Sequence, residues 1–80
     1  MKIEFQEGGI ESRIVITSWF LDWQAHNSLV SDMLFSAPQL RAVDNGFIRR
    51  DTVISGKTPY VMVAEIVAEE NGYEVRRVKL

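Results

Sequence analysis

The sequence predicts a small α+β fold with the element order β-β-α-β-α-β and both helices on one face of a mixed sheet. Two runs of alternating apolar and polar residues flank Gly8-Gly9, a pattern typical of an antiparallel hairpin. A run of apolar residues with helical spacing follows Thr58-Pro59, and Pro is well tolerated in the first turn of a helix. A last run with strand character follows Asn71-Gly72, which predicts a C-terminal strand packed beside that helix.

The N-terminal hairpin is predicted from side-chain alternation. Residues 2–6 place Ile3 and Phe5 on one face, and residues 10–17 place Ile14 and Ile16 on one face. Each run therefore has the period of two that a half-buried strand requires. Gly8-Gly9 supplies the tight turn between the two runs.

The segment 18–36 allows two interpretations. Trp19, Trp23, His26, Val30 and Met33 would form an apolar stripe on a helix that begins near residue 18. The aromatic residues 19–23 could instead extend the second strand, because aromatic side chains favour strands. Both interpretations predict a helix over residues 28–35.

The middle of the chain is predicted to hold a helical turn and then a strand. Pro38 can begin a helix but cannot continue one, so residues 39–44 are interpreted as one or two helical turns that end at Asn45-Gly46. Residues 47–54 are rich in β-branched side chains and predict a strand. If this strand neighbours the C-terminal one, the helix between them makes a right-handed parallel crossover.

A second helix is predicted from the spacing of residues 60–70. Its broad apolar side consists of Tyr60, Val61, Val63, Ala64, Ile66, Val67 and Ala68. Glu65, Glu69 and Glu70 are expected on a solvated surface. The alternative is a strand over residues 60–68 paired with residues 73–80, because Asn71-Gly72 is also a strong hairpin signal.

Composition limits the classes of function. The 80 residues predict one domain over residues 1–80. The chain has no cysteine, which excludes disulfides, thiolate catalysis and cysteine metal sites. It has no apolar run of about 18 residues and no signal-peptide pattern. We therefore expect a cytoplasmic protein.

Catalytic, cofactor and metal sites are not predicted. His26 is the only histidine, and we expect it at the surface or at the boundary of the core. Ser28 and Asp22 are too close to it in sequence to complete a catalytic triad. One histidine without cysteine leaves only carboxylates as metal ligands, and their spacing fits no calcium loop. The expectation is a protein that is not an enzyme and has no cofactor.

The tryptophans predict a protein interface. Trp19, Phe20 and Trp23 form a dense aromatic segment in a short chain, and Trp is enriched at the energetic centres of interfaces. We expect these three residues to contact a protein partner or a second copy of the chain. The expected function is a small interaction module acting as a homodimer, in the role of a regulator, inhibitor or assembly subunit of bacterial or phage origin.

Basic residues near the C-terminal strands suggest an alternative function. The predicted strands carry Arg49, Arg50, Arg76, Arg77 and Lys79, which would form a basic stripe if the strands are neighbours. Such a stripe would fit an acidic partner or the phosphates of a nucleic acid. Protection of sheet edges is the simpler interpretation, because charged residues on edge strands discourage aggregation between sheets.

Overall fold

A computed structural model describes residues 1–79 and shows a five-stranded mixed sheet with two helices. The strands are β1 (Lys2–Glu7), β2 (Glu11–Trp19), β3 (Arg41–Asn45), β4 (Arg49–Lys57) and β5 (Val75–Lys79), and the helices are α1 (Trp23–Ser36) and α2 (Thr58–Glu70). The α+β class and the helices on one face of the sheet are confirmed. Leu80, the last residue of the predicted C-terminal strand, lies outside the described residues.

The strands lie in the order β3-β4-β2-β1-β5 across the sheet. β5 pairs with β1 in parallel, and the other neighbours are antiparallel. The strand at 47–54 and the C-terminal strand, whose neighbourhood the sequence left open, are not neighbours, because β2 and β1 lie between β4 and β5. α2 therefore carries the chain across the sheet to its far edge.

The third strand was not predicted. Residues 41–45 form β3, an edge strand, where the sequence suggested helical turns. Every side chain of β3 is exposed, so the segment lacks the alternation that reveals a half-buried strand. Its strand conformation comes from pairing with β4, where Val43 lies opposite Val53. This adds one strand to the predicted order and makes it β-β-α-β-β-α-β.

The segment 18–36 combines the two interpretations of the sequence. β2 continues to Trp19, a 3-10 turn covers Phe20–Asp22, and α1 begins at Trp23. α1 includes the predicted residues 28–35 and buries His26, Leu29 and Met33. The aromatic segment is thus divided between a strand, a turn and a helix.

The helical interpretation of residues 60–70 is confirmed, but its buried side is narrower than predicted. α2 buries Val61, Ala64, Glu65 and Ala68, which have the i, i+3, i+4, i+7 spacing of one helix face. Tyr60, Val63 and Ile66, predicted on the apolar side, are 37%, 36% and 53% exposed. Gly72 closes the helix with a φ of 87° and an N–H bond to the Glu69 carbonyl, as its sequence position predicts.

The two faces of the sheet have different environments. Alternate residues of the strands point into the core beneath the helices, and Phe5, Ile14, Ile16 and Ile54 are fully buried there. The opposite residues, among them Val15 and Val53, lie on a face with no helix against it. We call this second surface the open face.

Candidate functional site

An apolar groove forms where β2 ends and β4 begins. It is lined by Phe20, Trp23, Phe47 and Ile48 and has a volume of about 410 Å³. Phe20, Phe47 and Ile48 are 57%, 76% and 59% exposed. The structure thus brings together two of the three predicted interface residues, Phe20 and Trp23, with two that the sequence did not suggest.

Local backbone geometry builds this groove. The 3-10 turn after Trp19 turns the chain so that Phe20 and Trp23 lie on the same side. Gly46, with a φ of 96°, allows the tight connection from β3 to β4 that presents Phe47 and Ile48. A Cβ atom at Gly46 would lie 2.0 Å from the Arg49 carbonyl oxygen, so this connection requires glycine.

An aromatic contact holds the two sides of the groove together. The rings of Trp23 and Phe47 meet edge to face, with centroids 5.5 Å apart and planes at 88°. This arrangement suits the charge distribution of aromatic rings. Within residues 1–79, the buried Trp23 Nε1 has no hydrogen-bond partner, which costs free energy for a buried donor.

The third predicted interface residue, Trp19, lies elsewhere. It ends β2 opposite Arg49 and, by strand alternation, its side chain belongs to the open face with Thr17 and Val15. Its side chain is 59% exposed. Phe47 and Ile48 were missed because the sequence placed them inside a strand. The Asn45-Gly46 pair, a recognised hairpin signal, was the feature that could have placed them in a turn.

The expectation that His26 lies at the surface or core boundary is wrong, because its side chain is fully buried. Ser18 Oγ lies 2.5 Å from His26 Nδ1, and Thr52 Oγ1 lies 2.6 Å from His26 Nε2. Thr52 in turn donates a hydrogen bond to Asp44. The helical spacing of His26 from Leu29 and Met33 carried the signal for burial, since all three share the inward face of α1.

The direction of each hydrogen bond in this side-chain network follows from the Asp44 carboxylate. The Thr52 hydroxyl proton goes to Asp44, so Thr52 Oγ1 must accept a proton from His26 Nε2. Nδ1 of the neutral ring is then the acceptor for the Ser18 hydroxyl. The Arg50 guanidinium also donates to Asp44, at 2.9 Å, and to Asn27.

The surroundings of His26 favour its neutral form. Burial lowers the pKa of the His26 imidazole below its usual value of 6.5, and the nearby Arg50 guanidinium lowers it further. The hydrogen bond from Thr52 lowers the pKa of Asp44 below its usual 3.8. Near neutral pH, His26 is therefore neutral and Asp44 is ionised.

In a hydrolase triad, a serine donates to a histidine and the histidine donates to an aspartate. Ser18, His26 and Asp44 follow the same sequence of donors, but Thr52 lies between the histidine and the aspartate. Ser18 is only 1% exposed, and His26 and Thr52 are fully buried. An acyl or phosphoryl substrate therefore cannot reach the Ser18 hydroxyl in this conformation. In the described part of the chain, no group of three histidine or acidic side chains could hold a metal ion.

The expected solvation of Glu65 is also wrong. Its side chain is 10% exposed and accepts two hydrogen bonds from Arg77, at 2.7 and 2.9 Å. Arg77 also lies over the Phe5 ring, with its Cζ atom 4.6 Å from the ring centroid. β5 thus supplies the cation that compensates a carboxylate on the inward face of α2.

The predicted basic stripe is not formed. Arg49 and Arg50 lie on β4, while Arg76, Arg77 and Lys79 lie on β5, and two other strands separate β4 from β5. Arg50 and Arg77 point to the helix-covered face, where they pair with Asp44 and Glu65. Of these five residues, Arg49 and Arg76 are the two that belong to the open face by register.

Comparison with protein-family models, with curated proteins and with solved structures found no match for this chain. In residues 1–79, neither helix has the length and apolar character needed to cross a membrane.

Proposed function

We propose that this protein is a non-enzymatic interaction module that forms a homodimer through the groove lined by Phe20, Trp23, Phe47 and Ile48. The observation that carries the proposal is the convergence of these four side chains at one end of the sheet. Three of them are more than half exposed. A monomer leaves this surface in water at a cost of about 25 cal/mol per Å² of apolar area.

The composition of the groove supports an interface of useful strength. Aromatic side chains bury large areas, and Trp is prominent among residues that dominate binding energy. The edge-to-face contact between Trp23 and Phe47 fixes both rings before binding. A preorganised surface loses less side-chain freedom on association.

A second copy suits this surface because the groove has an apolar projection beside it. Leu21 lies next to Phe20 in the 3-10 turn and is 83% exposed. In a two-fold dimer the same patch must both offer and accept side chains. Leu21 of each copy is the side chain that we expect to enter the groove of the other.

The proposal of a non-enzymatic role rests on where the reactive side chains lie. Ser18, His26 and Thr52 are used as buried connections between elements. A small module of this kind fits the role of a regulator, inhibitor or assembly subunit. The absence of cysteine from the sequence supports a reducing compartment such as the cytoplasm.

Light scattering coupled to size exclusion tests the proposal. We expect a mass near twice 9.2 kDa for the natural chain at micromolar concentration, and half that value for Phe47→Ser. Phe47 is 76% exposed, so we expect the folded monomer to lose only about 1 kcal/mol of stability, mainly from the Trp23 contact. Circular dichroism would check that the variant remains folded.

Phe35→Ser provides the matched control. Phe35 is 89% exposed and lies about 18 Å along α1 from Trp23, at 1.5 Å of rise per residue. The Phe35→Ser substitution removes the same type of side chain but leaves the groove unchanged, so this variant should remain dimeric. A natural chain that stays monomeric, or equal dissociation in both variants, would rule out the groove as a self-interface.

A further inference from the structure

The strand register separates the charges of this protein between its two faces. Six of the nine basic residues belong to the open face by alternation, namely Lys2, Arg13, Arg41, Arg49, Lys57 and Arg76. Three of the eleven acidic residues belong to it, namely Glu4, Glu11 and Asp51. The open face is therefore net positive on a molecule whose net charge is −2.

Fewer of the cations on the open face are paired with carboxylates than of those beneath the helices. Within the described residues, Arg49 is the only one of the six in an ion pair, with Asp51 at 3.9 Å. Arg13 donates to the neutral side chain of Gln6. Arg50 and Arg77, on the opposite face, are each paired with a carboxylate at less than 3 Å.

The shape of the open face suits an extended ligand. Val43, Val53 and Val15 lie side by side across three strands and form an apolar row in its middle. Val15 and Val53 of this row also line a shallow depression of about 360 Å³, whose charged lining consists of the cations Lys2 and Arg49 and the carboxylates Glu4 and Asp51. Trp19 is exposed directly opposite Arg49 at the end of β2.

We propose that the open face binds single-stranded nucleic acid. The cations would contact phosphates, and a base would stack on the exposed Trp19 ring, the combination that supports binding without sequence preference. A flat sheet face can present such contacts to splayed bases. The acidic residues of the helical layer repel a polyanion and direct it to this one face.

Anisotropy of a labelled oligonucleotide tests the proposal. The full chain is titrated into oligo-dT or oligo-U of about 12 nucleotides, at salt from about 50 to 200 mM. Four phosphate contacts predict a slope of about −3 in log K against log salt, since each contact contributes about 0.7. No binding at about 50 mM salt would overturn the proposal.

Two positions on β5 provide a matched pair of variants. Arg76 belongs to the open face, whereas Lys79 belongs to the opposite face by register with Glu7. Both Arg76→Gln and Lys79→Gln remove one positive charge, so their effects on net charge are the same. We expect Arg76→Gln to weaken binding severalfold and to reduce the salt slope by about 0.7, while Lys79→Gln leaves the slope unchanged. Equal effects of the two variants would contradict the assigned face.

Trp19→Ala tests the stacking contact and separates nucleic acid from an acidic protein. We expect this variant to lose about tenfold in affinity and to lose the fluorescence quenching that the oligonucleotide causes in the natural chain. Oligo-glutamate of matched charge should compete poorly. Equal competition by oligo-glutamate, or unchanged affinity of Trp19→Ala, would overturn the nucleic-acid assignment in favour of an acidic protein surface. Phe47→Ser should bind the oligonucleotide unchanged, which keeps this test separate from the dimer proposal.

Discussion

His26 joins four elements of the fold through its two ring nitrogens. Its partner Ser18 lies on β2, and its partner Thr52 on β4 bonds to Asp44 on β3, while His26 itself lies on α1. The Thr52 hydroxyl accepts from His26 and donates to Asp44, and the Ser18 hydroxyl can donate to Nδ1 only when the ring is neutral. A proton added to Nδ1 would remove the acceptor of the Ser18 hydroxyl proton and leave a buried charge.

The depressed pKa of His26 predicts a specific loss of stability in mild acid. Below about pH 6.5 the unfolded chain takes up a proton at His26, while the folded chain resists it, so the free energy of unfolding falls as the pH decreases. Above that value both states are neutral and this contribution is constant. The lowered pKa of Asp44 acts separately, because its stabilisation is lost only below about 3.8.

Urea unfolding between about pH 7.5 and 5 measures this effect, and His26→Asn is the control because the chain has one histidine. We expect the natural midpoint to fall through this range and the midpoint of the variant, lower at pH 7.5, to vary less. A natural midpoint that is constant to pH 5 would contradict the assigned neutral state.

The burial of His26 shows how far sequence reasoning reaches at the scale of single residues. Its place in an apolar helical stripe indicated an inward position, but its polar ring favoured the surface. What decided the outcome was a set of partners from β2 and β4, which are distant in sequence. The same holds for Glu65, whose inward position depends on Arg77 of β5.

At the scale of elements, α2 is tied to the N-terminal hairpin by the Thr58 side chain. Thr58 is the first residue of the helix, which begins without a side-chain cap. Its hydroxyl donates to the Gly9 carbonyl, and its oxygen lies 2.7 Å from the buried Ser12 hydroxyl. The Thr58 N–H adds a bond to the Ile10 carbonyl at 3.0 Å.

Thr58→Val should therefore destabilise the fold by about 1 to 2 kcal/mol, because it leaves the buried Ser12 hydroxyl without its Thr58 partner. Thr17→Val is the matched control, since Thr17 is also half-buried but donates to Asp51 on the open face, where water can replace it. We expect it to cost less than about 0.5 kcal/mol. Equal shifts in the urea midpoint would show that Thr58 does not anchor the helix.

The elements differ in how well the sequence predicts them, for a physical reason. The hairpin and α2 follow from local patterns, such as alternation around Gly8-Gly9 and apolar spacing after Pro59. β3 has no such pattern, and it becomes a strand because β4 offers hydrogen bonds to its edge. The groove was missed in part for the same reason, because Phe47 and Ile48 belong to the turn that joins these two strands.

The whole molecule presents two surfaces of different character. The groove is apolar and lies at one end of the sheet, whereas the open face is net positive and lies opposite the helices. Apolar association is little affected by moderate salt, because it depends on the area removed from water. Contacts between exposed charges are screened over about 10 Å at 0.1 M salt.

Salt should therefore separate the two proposed activities in one preparation. On raising sodium chloride from about 50 to 500 mM, we expect the mass from light scattering to remain that of a dimer and oligonucleotide binding to fall by more than a hundredfold. Copies that associate through opposite charges would instead dissociate as the salt concentration increases. A dimer that dissociates steeply with salt would indicate that the basic open face of one copy contacts the acidic helical layer of another. Phe47→Ser should then have no effect on the mass, because the groove would lie outside that contact.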